Sequence, residues 1–123
     1  YGLLLEIGAD GQIRYLHRSP VAAQGGTDLY SNANYADGVW YHVGIVKSAE
    51  AMTIYVNGVA AATMASATPF DQALQKLALG VLRSEEPSRY FPGAMDEFSL
   101  YGRVLSDAEM ASLAGRTKPF DKP

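Results

Sequence analysis

A short polar and aromatic stretch contains the side chains best suited to bind a ligand. Tyr30, Asn32, Asn34 and Tyr35 fall within six consecutive residues. Sugars bind to flat aromatic faces flanked by a few fixed polar groups, and this stretch supplies both. Asparagine is also a turn-forming residue, so an Asn-rich turn whose tyrosines seal the edge of a sandwich explains the same residues equally well.

A second group of candidate ligand-binding residues, Arg83, Arg89 and Tyr90, lies in or beside a polar loop. Binding residues concentrate on loops that a rigid scaffold positions. Glu85 and Glu86 belong to the same segment, and the simplest interpretation of this pair is a solvated loop.

Catalytic signatures are missing from the sequence. Asp96 and Glu97 are adjacent, and neighbouring side chains of a strand point to opposite faces, so the two carboxylates cannot act as one acid/base pair. His17 and His42 do not have the spacing of a ligand pair, and we interpret His42 as structural. No nucleophile motif or phosphate-binding glycine loop is present. We therefore expect no enzymatic activity.

Composition limits the remaining classes. The chain has 123 residues, 48% of them hydrophobic, which suits one globular domain. A net charge of −3 argues against a nucleic-acid surface, because such surfaces carry a basic excess. The apolar runs are too short to cross a bilayer, so we expect no membrane insertion.

Turn and strand signals alternate along most of the chain. Asp10-Gly11 and Asn57-Gly58 each predict a hairpin with a type I′ turn. We expect Trp40 to lie in the core, on a central strand. The predicted strands are 3–8, 12–17, a short one near Leu29-Tyr30, 40–47, 53–56, 59–64, 76–82 and 94–101.

One short helix is predicted near the C-terminal end. Ser106 and Glu109 have the spacing of a capping box, and Leu105 and Met110 that of a hydrophobic staple. Gly115 is placed to end the helix. Together these elements predict an all-β fold, an antiparallel β-sandwich with one short C-terminal helix.

Five segments, in order along residues 38–115, resemble laminin-G-like domains of the concanavalin A-like lectins. Each is weak alone, and the resemblance rests on the set. The segments are GVWYHV from Gly38, IYVNG from Ile54, LG at Leu79, FPGAMDEF from Phe91 and LYGRVLSDAEM from Leu100. The resemblance implies a jelly-roll sandwich and a structural Ca²⁺ ligated by Asp96 with backbone carbonyls. The alternative for Asp96 is a carboxylate that accepts hydrogen bonds from turn amides.

The resemblance also implies a function. It indicates a non-catalytic binding module of a larger secreted or surface-attached bacterial protein, extracellular in location, with a glycan as ligand. Retaining glycosidases of this fold class carry an E-x-D-x-E run that this sequence lacks. Two alternatives remain open: a protein-interaction or adhesion module that binds an extracellular protein, and a partial glycoside hydrolase-like domain.

The front of the chain departs from the family pattern. Laminin-G-like domains usually open with one or two strands before the segment corresponding to Leu3–Leu16, and we do not find them here. We expect a sandwich domain over residues 1–115 that lacks these strands, followed by a linker or tail over 116–123. Unpaired sheet edges invite pairing, so we hypothesise a homodimer through open edges.

Overall fold

Six strands and one helix make up the regular structure of the described residues, which are 2–22, 24–70, 73, 75–82 and 89–115 of a computed structural model. The elements are β1 (Leu3–Ile7), β2 (Gln12–His17), β3 (Thr27–Asn34), β4 (Val43–Lys47), β5 (Ala51–Val56), β6 (Val59–Ala65) and α1 (Asp107–Leu113). All seven belong to a first unit, Tyr1–Gln72 with Arg103–Pro123, and a second unit spans Ala73–Gly102. The predicted tail and Arg83 lie outside the described residues.

The strands form two antiparallel three-stranded sheets, in the orders β1-β2-β3 and β4-β5-β6. One buried cluster joins them, with members from both sheets: Ile13, Tyr15, Leu29, Met52, Ile54 and Val56. Burial raises the pKa of Tyr15 to about 12, because the phenolate would lose its hydration in this core. The predicted all-β antiparallel sandwich is confirmed.

The first hairpin forms where it was predicted, but its turn differs. Of Asp10 and Gly11 only Gly11 has a positive φ, at 81°, so the predicted type I′ turn is wrong. The Gly8 amide donates to the Gln12 carbonyl at 2.9 Å, which leaves a three-residue connection. The Asp10 side chain accepts from the Gln12 amide at 3.1 Å, a local bond that favours this longer loop.

The second hairpin confirms its predicted turn. Asn57 and Gly58 have φ values of 50° and 76°, as a type I′ turn requires. The Asn57 side chain accepts from the His42 amide at 3.0 Å, and the Asn57 amide donates to the His42 carbonyl at 2.8 Å. These bonds continue the β4–β5 ladder one residue beyond its last strand pair, Val43 with Val56.

The helix α1 agrees with its sequence signals. Ser106 is the N-cap, and it forms a capping box with Glu109. Leu105 and Met110 share a buried cluster with Tyr55 of β5. The Tyr55 hydroxyl donates to Asp107 at 2.5 Å; burial, and then this bond, raises the pKa of Tyr55 to about 12. Helix α1 is therefore tied to the β4-β5-β6 sheet at both its first turn and its middle.

Two strand predictions in the first unit need correction. The segment treated as a loop with a short strand forms β3, an eight-residue strand that pairs with β2. The strand predicted from Trp40 begins only at Val43, because its partner β5 ends at Val56 and the ladder runs out. It lies at the edge of its sheet, since β5 is the central strand. Trp40 is 66% exposed, so its predicted core position is wrong.

The second unit contains neither predicted strand among its described residues, 73, 75–82 and 89–102. Gly80 and Glu97 have φ values of 73° and 51°, and a left-handed residue interrupts the extended backbone that a strand needs. The Phe91 amide donates to the Gly80 carbonyl at 2.9 Å. Among the described residues, no helix is long and apolar enough to cross a membrane.

Gly58 provides a test of how the second hairpin supports the helix. A Cβ at Gly58 would meet Ala111 Cα at 2.7 Å and Ala114 Cβ at 3.0 Å. Gly38 has a similar φ of 79° but nothing within 4 Å of its Cβ position. We expect Gly38→Ala to cost about 1 kcal/mol of unfolding free energy from backbone strain alone. Gly58→Ala should cost roughly 1–3 kcal/mol more from steric overlap, as measured by urea unfolding. If Gly58→Ala and Gly38→Ala lower the free energy of unfolding equally, the close contact between Gly58 and α1 is contradicted.

His42 predicts a pH dependence of stability. Its Nδ1 is buried without a hydrogen-bond partner among the described residues, and burial lowers its pKa below 6.5. At a pH between the folded and unfolded pKa values, His42 binds a proton in the unfolded chain but not in the folded chain. The free energy of unfolding therefore decreases as the pH falls below about 6.5. In urea unfolding between about pH 8 and about pH 5, His42→Gln should flatten this dependence. If the free energy of unfolding changes with pH equally in the unmodified chain and in His42→Gln, this prediction is wrong.

Candidate functional site

A register shift in β3 determines where the candidate residues lie. Arg14 of β2 pairs with Tyr30, whereas Gln12 pairs with Asn34, so residues 31–33 lie opposite Ile13 alone. Ser31 fills the gap, because its buried hydroxyl accepts from the Ile13 amide at 2.9 Å and donates to the Ala33 carbonyl at 2.9 Å. Bulges of this kind redirect the side chains around them.

Tyr30 lies before the bulge, beside a charged group. Its cross-strand partner Arg14 binds Glu6 through Nη1 and Asp28 through Nε, both at 2.7 Å. The bond to Asp28 and then that to Glu6 raise the pKa of the guanidinium above its usual value. Tyr30 itself is 49% exposed. Arg14 therefore connects all three strands of its sheet.

Asn34 lies after the bulge and uses both ends of its amide internally. Its Nδ2 donates to the Asp10 carbonyl at 2.6 Å, and its Oδ1 accepts from the Ala36 amide at 2.8 Å. These two bonds hold the end of β3 against the first hairpin. The interpretation as a turn residue describes what Asn34 does in the structure, and ligand binding by Asn34 stays a prediction.

Asn32 and Tyr35 line one open cleft of about 260 Å³. The other side of the cleft comes from the second hairpin. The lining residues are uncharged: Asn32, Tyr35, Tyr41, Val56, Asn57, Val59, Ala60 and Ala61. The cleft thus combines two aromatic rings, two amides and a small apolar floor, which is the composition expected for a sugar subsite.

The two tyrosines of the cleft are held relative to each other. Their ring centroids are 5.1 Å apart in an edge-to-face arrangement at 79°. The Tyr35 hydroxyl contacts Asn32 Oδ1 at 3.4 Å, and the Tyr41 hydroxyl donates to Asp37 at 2.8 Å. The bond from Tyr41, and then that from the Val39 amide, hold the pKa of Asp37 below its usual value, while the pKa of Tyr41 is raised. Asp37 is therefore an anion at neutral pH.

Arg89, Tyr90 and Asp96 belong to the second unit. Arg89 has a left-handed backbone, with φ of 52°, and Tyr90 is 67% exposed. Asp96 Oδ1 accepts from the Glu97 amide at 2.8 Å, as in the turn-amide alternative. Ca²⁺ takes six to eight oxygen ligands, and the described residues hold no group of three or more His, Cys, Asp or Glu able to bind a metal. The predicted site completes Asp96 with backbone carbonyls, and calcium binding there stays a prediction.

Sequence reasoning missed Tyr41, and also the side of the cleft that the second hairpin forms, as parts of the candidate site. Tyr41 was assigned to a strand beside Trp40, and Asn57 was recognised as a turn residue only. The available signal was that the YVNG hairpin and the aromatic strand pair with each other, which places Tyr41 close to Asn57. His17 is buried, and its ring centroid lies 4.3 Å from that of Phe70.

A solved structure with a similar fold is the 2.1 Å crystal structure of residues 221–444 of an S-layer domain-containing protein from Clostridium thermocellum. The similarity has a TM-score of 0.50 at 24% sequence identity. It covers 91% of this chain and 55% of that one, so this chain spans about half the length of the solved protein. At this identity the similarity shows the fold alone. No curated protein matches the sequence.

A protein-family model matches the chain and agrees with the family resemblance of the five sequence motifs. It is a laminin G model described as concanavalin A-like lectin/glucanases superfamily, and it matches residues 2–111. That match covers both sheets and most of α1. The chain belongs to the laminin G type of the concanavalin A-like lectin/glucanases superfamily.

Proposed function

We propose that the chain is a non-catalytic, carbohydrate-binding module of a larger secreted or surface-attached bacterial protein. The observation that carries the proposal is the uncharged cleft of the first unit, with the Tyr35 and Tyr41 rings on one side and the Asn57 hairpin on the other. An aromatic ring binds the apolar face of a sugar, and amide groups bind its hydroxyls.

The lining of the cleft supports binding rather than hydrolysis. Glycosidases need two carboxyl groups about 5–10 Å apart around the scissile bond. None of the residues lining the cleft is Asp or Glu. Asp37 does not line the cleft itself. It is a single carboxylate that already accepts hydrogen bonds from the lining residue Tyr41 and from the Val39 amide. The superfamily holds both lectins and glucanases, and these features favour the lectin alternative.

An extracellular or cell-surface location is part of the proposal. The family resemblance supports it, and the similar solved structure comes from an S-layer domain-containing protein. The same location suits the ligand, since glycans are the exposed polymers of such surfaces. An extracellular protein ligand and a homodimer through open sheet edges remain predictions that no observation in the cleft requires.

A glycan array tests the site with matched tyrosine variants. We expect Tyr35→Ala to weaken glycan binding by about tenfold or more, because the ring is lost from the cleft. Tyr30→Ala removes an exposed tyrosine from the same segment but outside the cleft, and should leave binding unchanged. Asn32→Ala, which removes an exposed amide and one long hydrogen bond, gives a milder loss without a folding risk.

Several results would contradict this assignment. Binding that is abolished by Tyr30→Ala and retained by Tyr35→Ala and Asn32→Ala would place the site elsewhere. Loss caused only by Arg89→Ala or Tyr90→Ala would move it to the second unit. A chain that is folded by circular dichroism and binds no glycan would sink the proposed function, and release of reducing sugar from a bound glycan would sink its non-catalytic part.

Calcium is tested by the same array after chelation. Because the cleft is lined without carboxylates, we expect glycan binding by the cleft to survive removal of Ca²⁺. Binding that disappears with chelator, and equally with Asp96→Ala, would instead show an ion-dependent site at Asp96. A matched control is Asp10→Ala, since Asp10 also accepts a hydrogen bond from a nearby amide, that of Gln12.

A further inference from the structure

None of the residues that line the cleft is charged, but one carboxylate, that of Asp37, lies beside a lining residue. Asp37 accepts a hydrogen bond from the hydroxyl of Tyr41, whose ring lines the cleft. A ligand that contacts the Tyr41 ring is therefore separated from the Asp37 carboxylate by no more than the tyrosine side chain itself. Asp37 is exposed and is not neutralised by a cation in any contact that the described residues show.

We propose that the cleft selects neutral saccharides and discriminates against sugars that carry a carboxylate. This inference rests on the proposed function and specifies its ligand class. An anionic sugar in the cleft would meet the negative charge of Asp37 without gaining an ion pair, because none of the lining residues is Lys or Arg. Repulsion between two charges at this range lowers affinity by several-fold.

The polar groups of the cleft agree with a neutral ligand. Asn57 accepts from the His42 amide through Oδ1, so its NH₂ group is the end available to a ligand. Asn32 contacts the Tyr35 hydroxyl through Oδ1, which likewise leaves an NH₂ group. Two amide donors together with the Tyr35 hydroxyl match the mixed donors and acceptors of sugar hydroxyls.

The basic side chains of the two sheets are engaged away from the cleft. Arg14 binds Glu6 and Asp28, and Lys47 donates to the carbonyls of Ser48 and Ser66. Neither is among the residues that line the cleft. Among the described residues of the first unit, Asp37 is the charged group that bonds to a lining residue, and more distant charges are screened by salt.

The experiment measures affinities for matched pairs of oligosaccharides by titration calorimetry. The probes are β-1,4-linked oligomers of glucose and of galactose, each paired with the uronate oligomer in which C6 is a carboxylate. For the pair that binds, the neutral member should bind about 3- to 10-fold more tightly at low salt. The ratio should shrink towards one at about 0.5 M salt, where charges are screened.

Two variants separate the role of Asp37 from that of net charge. Asp37→Asn should raise the affinity for the uronate towards that of the neutral oligomer, with little change for the neutral one. Glu50→Gln removes one exposed negative charge from the β4–β5 turn and should leave the ratio unchanged. If the two variants change the ratio equally, overall charge and not Asp37 is responsible, and the inference is overturned.

The remaining outcomes distinguish the two proposals. Equal or tighter binding of the uronate by the unmodified chain overturns the neutral preference while the carbohydrate-binding proposal stands. Tight uronate binding would also mean that a cation outside the lining residues reaches the ligand. Failure of every neutral and anionic glycan, on the array and in solution, removes the proposed function itself.

Discussion

The turn at Asn57 and Gly58 connects three parts of the first unit that are distant in sequence. Asn57 holds the end of the β4–β5 ladder through two hydrogen bonds to the His42 backbone. Gly58 lies against α1 so closely that a Cβ would overlap Ala111. Asn57 also lines the cleft. The left-handed backbone of both residues is what allows these three contacts from one tight turn.

The second element on which the cleft depends is the bulge at Ser31. Side chains of β3 alternate with a period of two as far as Asn32, with Leu29 and Ser31 buried and Tyr30 and Asn32 exposed. The alternation ends in the bulge, since Ala33 and Asn34 are both exposed, and Asn32 within the bulge lines the cleft with Tyr35. The Ser31 hydroxyl satisfies the Ile13 amide that the bulge would otherwise leave unpaired in a buried position.

The turn at Asn57-Gly58 and the bulge at Ser31 help to form a cleft that is lined by uncharged residues. Its lining offers aromatic rings and amides, and the Asp37 carboxylate beside it accepts hydrogen bonds from Tyr41 and a backbone amide. None of the lining residues is a carboxylate that could transfer a proton to a glycosidic bond, which is why we propose binding rather than hydrolysis.

The sequence by itself determined the elements whose signals are local. The capping box at Ser106, the type I′ turn at Asn57-Gly58 and the apolar residues of the two sheets each depend on neighbours a few positions away, and each was predicted correctly. The sandwich class followed from them, and the motifs of residues 38–115 identified the family. Local chemistry is also why Asn32 and Tyr35 were among the candidates; both line the cleft, and their role in ligand binding stays a prediction.

Only the tertiary structure decided which of the candidates meet. The bulge that contains Asn32 depends on a hydrogen bond between Ser31 and Ile13, which lie in different strands. The pairing of β4 with β5 brings Tyr41 to the same cleft as Asn57, and it also leaves Trp40 beyond the end of the ladder and exposed. Such outcomes depend on non-local pairing and register, which residue types and spacing within one segment do not encode.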